Sequence, residues 1–215
     1  MMDDLLSHSG LTIIIDFSSL ADYVSLIETK KLVDDFGLEV HWLPLVKSLE
    51  SRSLTSSEND PLSAYKARRT GAREKFAREE LERNCMYMGI AVEQAAMKFD
   101  PTHVALGQLW LKEAGASAGS HWRYADLVFS RVFRGKTLIE TAQQVSNLLV
   151  DSGIDVSGFA DFLDKNELPA VQQALLDAGV FDSPAIIFQG ERYIGRQHHP
   201  LLRWILGGSK RMPPV

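Results

Sequence analysis

The 215-residue sequence contains a single cysteine, Cys85. One thiol excludes an intramolecular disulfide and a metal site built from several cysteines. It also excludes dithiol–disulfide exchange within the chain, because that reaction needs both a nucleophilic and a resolving thiol. Cys85 lies within a helical pattern, and we interpret it as a packing residue.

Long apolar runs and a positive charge are also missing. No run approaches the roughly 20 apolar residues that a membrane span requires. The formal net charge of −5 argues against affinity for nucleic acid or anionic membranes, which need a basic surface. The first residues, Met1-Met2-Asp3-Asp4, are acidic and lack the apolar segment of a secretory signal. We therefore expect a cytoplasmic protein that binds neither nucleic acid nor membranes.

Several catalytic fingerprints are absent. The sequence has no G-x-S-x-G, P-loop or G-x-G-x-x-G motif, so hydrolase, NTPase and dinucleotide-binding functions have no support. The pair His198-His199 is the one metal candidate, but adjacent side chains point apart and no partner lies at ligand spacing. No metal is expected, and the pair is interpreted as a surface helix start.

The beginning of the chain has the pattern of a strand–helix–strand unit. Residues 11–17 are apolar and β-branched, which predicts a buried central strand. Helical spacing follows Ser18-Ser19 and ends at Gly37. Residues 38–45 form the second predicted strand, and a unit of this length favours a parallel, right-handed crossover.

The remainder of the chain is mostly helical. Glycine-punctuated helical patterns occupy residues 62–178. Strand character returns at residues 185–188, followed by a two-residue turn and a hairpin partner at 192–194. A last helix is predicted from Pro200 to Gly207-Gly208. The expected fold class is α/β, in the order β-α-β, a long helical insertion, then β-β-α.

Two stretches carry a family resemblance. Residues 16–24, Asp-Phe-Ser-Ser-Leu-Ala-Asp-Tyr-Val, resemble the pattern D-F-x-S-P-x-S-Y-L. Residues 179–202 resemble a second pattern in which a glycine-rich turn and a proline precede a strand. Both patterns are typical of the DsbA-like branch of the thioredoxin superfamily. Within that branch the likeness is to kappa-class glutathione transferases and 2-hydroxychromene-2-carboxylate isomerases.

The resemblance implies a domain organisation. Residues 11–60 and 179–207 would form a thioredoxin-like domain, and residues 61–178 a helical insertion domain, with a cleft between them. Residues 1–10 and 208–215 would be flexible termini. We also consider a homodimer.

The resemblance further implies a glutathione site. Ser19, at a helix N-terminus where the dipole favours negative charge, would donate a hydrogen bond to the thiolate, with Ser18 as the rival candidate. Ser183 would offer its backbone amide and carbonyl to the cysteinyl residue. A further group would hold the γ-glutamyl end: Arg196, Gln197 and His198.

Three positions allow a second interpretation. Ser19 and Asp22 have the spacing of a capping box, in which both side chains satisfy amides at a helix start. An ionised Asp22 would also repel a thiolate. Pro184 is either cis, as the resemblance implies, or a trans proline that opens an edge strand.

Two functions therefore remain open. The first is a glutathione-dependent transferase or isomerase, and the second is a non-catalytic thioredoxin-fold module that binds a peptide or protein partner in the same cleft. Both predict a small-molecule or peptide-like ligand.

Overall fold

The computed structural model describes residues 10–47, 63–90, 99–135, 137–210 and 212–214. Residues 1–9 of the expected flexible N-terminus (residues 1–10) and the serine-rich segment after residue 47 lie outside these ranges. Among the described helices, none combines the length and apolar character that crossing a membrane would need.

A four-stranded mixed sheet organises the two ends of the chain. Its strands are β1 (Leu11–Ile15), β2 (Val40–Pro44), β3 (Ala185–Phe188) and β4 (Glu191–Ile194), in the spatial order β2-β1-β3-β4. β2 runs parallel to β1, whereas β3 is antiparallel to both β1 and β4. All five residues of β1 are buried. The predicted parallel crossover and central strand are confirmed.

Helices account for most of the remaining described residues. Those that precede β3 are α1 (Leu20–Phe36), α2 (Ser63–Met88), α3 (Thr102–Glu113), α4 (Ala118–Phe129), a π-helical segment (Ser130–Arg134), α5 (Ala142–Asp151), α6 (Phe159–Lys165) and α7 (Leu168–Asp177). A short 3-10 turn (Arg196–His198) and α8 (His199–Leu206) follow the hairpin. The predicted order of strands and helices is therefore observed.

The ends of α1 follow from two residues. Ser19 is the N-cap, and its Oγ accepts a hydrogen bond from the Asp22 amide at 3.3 Å. Gly37 adopts a left-handed conformation, with φ of 60°, and its N–H donates to the Val33 carbonyl. This glycine ends the helix where the sequence predicts.

One hydrophobic core spans the sheet, α1 and the helical insertion. Phe17, after β1, packs edge-on against Tyr124 of α4 with ring centroids 6.0 Å apart. Tyr23 of α1 stacks on Phe129 at 5.1 Å. These aromatic contacts fix the insertion directly against the residues that surround the start of α1, so the position of that helix start depends on both parts of the chain.

Candidate functional site

Strand register brings the two signature stretches together. Ile14 lies opposite Ala185 in the antiparallel pair of β1 and β3. Continuing this register beyond the paired residues carries Asp16 toward the loop that holds Ser183 and Pro184. The peptide bond between Ser183 and Pro184 is cis.

Asp22 connects these segments. Its side chain is only 2% exposed. Oδ2 accepts a hydrogen bond from the Ser183 hydroxyl at 3.1 Å, and Oδ1 accepts one from the Asp16 amide at 3.1 Å. One buried carboxylate thus links the end of β1, the first turn of α1 and the loop before β3.

The capping-box prediction is half right. Ser19 caps the helix, but Asp22 does not return the hydrogen bond to the Ser19 amide. That amide donates instead to the Asp16 carbonyl at 3.0 Å. Because the backbone already satisfies this amide, the Asp22 carboxylate is available to bind Ser183.

The two candidate serines have different hydrogen bonds. Ser18 is committed to Asp16, since its amide and its hydroxyl both donate to Asp16 Oδ1, at 2.8 and 2.6 Å. Ser19 is half-buried, and its Oγ accepts from the Asp22 amide. Within the described part of the chain, the Ser19 hydroxyl proton has no acceptor. Ser19 is therefore the hydroxyl that can donate to a ligand.

Ser183 offers less to a ligand than the sequence predicts. Its amide donates to the carboxylate of Asp182 at 2.8 Å, and Asp182 forms an ion pair of 2.5 Å with Lys47. Among the described residues, its carbonyl oxygen has no hydrogen-bond partner. The predicted pair of backbone contacts is thus reduced to the carbonyl unless a ligand displaces Asp182.

Burial controls the charge of this cluster. Desolvation, reinforced by the nearby Asp16, raises the pKa of Asp22 to about 7, although hydrogen bonds and Lys47 act in the opposite direction. Asp16 is fully buried, and its Oδ2 has no partner among the described residues. Asp22 therefore binds a proton more readily near neutral pH than an exposed aspartate does, and its repulsion of a thiolate is weaker than the sequence suggests.

The structure places Arg196 and Gln197 away from this cluster. The Arg196 guanidinium pairs with Glu28 at 3.1 Å and with Glu80 at 2.9 Å. Gln197 Nε2 donates to the Ile194 carbonyl. These residues, apart from Ile194, line a cavity of about 430 Å³ beside the later turns of α1.

His198 and His199 have different environments. The His198 ring lies edge-on to Tyr193, with centroids 6.0 Å apart, and it is not among the residues that line the cavity beside Arg196. The side chain of His199 is only 11% exposed, and this burial lowers its pKa. For His199 the predicted surface position is wrong. The part of the chain that the structure describes contains no group of three or more His, Cys, Asp or Glu side chains able to hold a metal ion.

A row of buried polar residues on α1, here called the polar track, connects the Asp22 cluster to the cavity beside Arg196. Asp22, Ser25 and Thr29 are all buried in this helix and line one small cavity. Thr29 Oγ1 lies 2.8 Å from His199 Nε2, and the other ring nitrogen of His199 donates to the Arg196 carbonyl at 2.8 Å. Sequence reasoning missed this track, although the spacing i, i+3, i+7 places its residues on one helical face.

The architecture is a thioredoxin-like fold with a DsbA-like helical insertion. No protein-family model and no curated protein matches the sequence. Solved structures do match. A probable DsbA oxidoreductase from Streptomyces coelicolor superposes with a TM-score of 0.66 and 15% identity, over 97% of this chain and 93% of the other.

Two further structures share the architecture. A 2-hydroxychromene-2-carboxylate isomerase matches with a TM-score of 0.62 and 18% identity, over 93% of this chain and 95% of its own. A protein of Nitrosomonas europaea, provisionally assigned as a protein disulfide isomerase, matches with a TM-score of 0.58 and 14% identity, over 94% and 98%. The α/β thioredoxin-like fold with a helical insertion is thereby confirmed, as is the resemblance in fold to DsbA-like proteins and this isomerase.

Proposed function

We propose that the protein is a glutathione-dependent transferase or isomerase that holds the thiol of glutathione at Ser19. The observation that carries the proposal is the state of the Ser19 hydroxyl. It caps α1 through its oxygen and keeps its proton for a ligand. A hydroxyl donor at a helix N-terminus stabilises a thiolate through both the hydrogen bond and the helix dipole.

The neighbouring loop suits the peptide part of glutathione. The Ser183 carbonyl, next to the cis peptide bond, is available to accept the cysteinyl amide. A single backbone hydrogen bond of this kind is the smallest form of strand addition. Ser183 and Ser19 both contact Asp22, so a ligand thiol and its own backbone could engage both serines.

The second cluster suits the γ-glutamyl end. From Ser19 to Glu28, α1 advances by roughly 13 Å, at 1.5 Å per residue. The sulfur of glutathione belongs to its middle residue, so only the cysteinyl and γ-glutamyl residues can span this distance. Two extended residues cover about 7 Å, and the γ-linkage lengthens this reach. The side chains of Arg196 and Gln197, which line the cavity, would have to cover the remainder. There Glu28 and Glu80 supply negative charge for the ligand ammonium, and Arg196 supplies positive charge for its carboxylate.

The fold comparison is compatible with this proposal. One of the similar structures is a 2-hydroxychromene-2-carboxylate isomerase, an enzyme that shares the architecture and lies at 18% identity. The absence of a second cysteine directs the proposal towards chemistry that uses a ligand thiol rather than a protein disulfide.

A second candidate function is a non-catalytic module that binds a peptide or protein partner in the same cleft. The Arg196 ion pairs with two glutamates favour it, because a ligand carboxylate must compete with both. The engaged Ser183 amide favours it too, since a protein partner could form other contacts along the cleft and compensate for that missing bond.

Calorimetric titration with glutathione separates the two functions. The wild-type protein should bind with a Kd below the millimolar range, and Ser19→Ala should weaken binding about tenfold, the loss expected for one hydrogen bond to a charged group. Wild-type binding weaker than millimolar would contradict the enzyme and leave the peptide-binding module as the better account.

Ser117→Ala is the matched control. Ser117 caps α4 as Ser19 caps α1, with its Oγ accepting from the Ser120 amide at 3.2 Å. Both substitutions remove a helix cap and cost similar stability, about 1 kcal/mol. Glutathione affinity should fall in Ser19→Ala and stay unchanged in Ser117→Ala. An equal loss in both would assign the effect to stability rather than to a ligand contact.

A further inference from the structure

We propose that the carboxylate of Asp22, in contact with the ligand-facing hydroxyl of Ser183, takes up the proton that a bound thiol gives up. This inference rests on the proposed function, because it names the group that receives the proton when glutathione becomes a thiolate. It also gives a role to Asp22, whose negative charge would otherwise repel a thiolate at Ser19.

The geometry directs one carboxylate oxygen toward the ligand side. The Asp16 amide holds Oδ1 of Asp22, while Oδ2 accepts the Ser183 hydroxyl proton at 3.1 Å. Asp22 is 2% exposed, so a ligand thiol cannot reach it directly. Ser183, which donates to this oxygen, is only half-buried, so part of it is open to solvent.

The proton transfer balances without any other reactant. The S–H bond of the ligand breaks, and its electron pair stays on the sulfur. The thiol proton passes to Ser183 Oγ as the existing Ser183 proton passes to Asp22 Oδ2. Ser183 is a hydroxyl before and after, the carboxylate becomes a carboxylic acid, and the charge of the site is unchanged. The thiolate beside Ser19 then faces a neutral Asp22.

Of the charged groups around Asp22, Asp16 favours this uptake and Lys47 opposes it. Asp16 approaches from the end of β1, and one of its buried oxygens has no partner in the described part of the chain. Lys47 follows β2 and is already paired with Asp182 from the loop before β3. Two buried carboxylates side by side bind a proton readily because like charges in a desolvated site repel.

The remaining neighbours do not compete for the proton. On α1 itself, Ser25 and Thr29 are neutral hydroxyls that line the same small cavity. The raised pKa of Asp22, about 7, lies in the range that suits a proton acceptor working at neutral pH. The negative charge of the bound thiolate raises this pKa further, so Asp22 keeps the proton at pH 8, whereas a carboxylate with an ordinary pKa would return it to solvent.

The test counts protons released when glutathione binds. Calorimetry is carried out at about pH 8, where Asp22 is mostly ionised. Comparing the binding enthalpy in two buffers of different ionisation enthalpy gives the number of protons released, and ultraviolet absorbance gives the amount of thiolate formed. In the wild type, thiolate should form with little net proton release because Asp22 takes up the proton. In Asp22→Asn, which keeps a polar side chain of the same size, close to one proton should be released per thiolate formed.

The possible results separate this inference from the proposed function. Equal proton release from the wild type and Asp22→Asn, with thiolate formed in both, would overturn the inference alone. So would binding without any thiolate in the wild type. Absence of glutathione binding would overturn the proposed function as well. Asp126→Asn, at an exposed position of α4, is the control and should behave as the wild type does.

An infrared measurement on the wild-type protein makes the test independent of how the variant folds. A protonated carboxyl group absorbs at a frequency distinct from that of a carboxylate. Adding glutathione at about pH 8 should increase the protonated-carboxyl band by one group per bound thiolate. If thiolate appears and this band does not grow, Asp22 is not the proton acceptor.

Discussion

Asp22 shows how burial changes the role of a residue from the one that its sequence position suggests. In the sequence it is an acidic residue three positions after a serine, and that spacing is typical of a helix cap. In the structure its carboxylate bonds to Ser183, which lies 161 positions away. Desolvation raises its pKa to about 7. The side chain therefore both connects two segments by hydrogen bonds and binds a proton near neutral pH.

The raised pKa predicts how stability depends on pH. A carboxyl group whose pKa is higher in the folded state binds protons more tightly there, so its contribution is greatest below about pH 4, declines as the pH rises towards 7, and is constant above that. The full effect is at most about 4 kcal/mol. Asp22→Asn should remove this decline, which urea unfolding at pH 5 and pH 8 would measure.

Asp126→Asn again provides the comparison, because this aspartate is exposed in α4. Its unfolding free energy should follow the wild type at both pH values. If Asp22→Asn loses as much stability between pH 5 and pH 8 as the wild type does, the proton bound in that range belongs to another group, and the account of the buried carboxylate is wrong.

Some residue roles could be read from the sequence and others could not. Ser19 was identifiable because a serine between an apolar strand and a helical pattern is a common N-cap. The partners of Arg196 were not identifiable, since Glu28 and Glu80 lie 168 and 116 positions away. Periodicity reports only which face of a helix is buried, and it carries no information about such distant charge pairs.

At the scale of helices and strands, the sequence is more informative. The end of α1 at Gly37 and the hairpin of β3 and β4 follow from local chemistry: a left-handed glycine and a two-residue turn at Gln189-Gly190, both with positive φ. The π-helical segment at Ser130–Arg134 was not predicted, because its apolar positions continue the helical spacing of α4. A change of helical hydrogen bonding leaves no clear mark in such a pattern.

In the helical insertion, α4 and α5 pack closely against α3 at Gly107. Gly107 is buried in α3, and a Cβ there would meet the Tyr124 hydroxyl at 2.3 Å and Val145 at 2.6 Å. Tyr124 is itself fixed, since its hydroxyl donates to the Val104 carbonyl at 2.9 Å. Gly107→Ala should therefore lower the unfolding free energy by about 1–3 kcal/mol through overpacking, measured by urea denaturation.

Gly71→Ala is the matched control in α2, where a Cβ would meet nothing within 4 Å. Alanine is a better helix former than glycine, so this change should raise stability by up to about 1 kcal/mol. The two substitutions are identical in chemistry and opposite in predicted sign. A stabilising Gly107→Ala would show that α3, α4 and α5 do not approach as closely as the structure indicates.

For the whole molecule, the order of strands and helices along the chain predicts the fold, but it does not predict which of them pack against one another. Strand, helix and strand at the beginning, and strand, strand and helix at the end, were predicted in the right order. Their joining into one domain was an expectation from resemblance. The strand order β2-β1-β3-β4 was not predicted, because no local pattern pairs residue 14 with residue 185. The shared aromatic core of Phe17, Tyr124 and Phe129 was likewise outside the reach of periodicity.

The residues of the candidate site were predicted, but their contacts were not, because local sequence patterns do not reveal contacts between distant segments. Strand register and the shared core bring Ser19, Asp22 and Ser183 into one cluster, whereas Arg196 and Gln197 line a separate cavity beside α1. One ligand would have to reach both places. We propose that glutathione extends from the Ser19 cluster to the cavity beside Arg196, with its sulfur at Ser19.

The most direct test of that claim is a crystal structure of the wild-type protein with glutathione bound. We expect the glutathione sulfur within hydrogen-bond distance of Ser19 Oγ, the cysteinyl amide on the Ser183 carbonyl, and the γ-glutamyl end in the cavity beside Arg196. Glutathione bound with its sulfur away from Ser19, or held only in the Arg196 cavity, would contradict it.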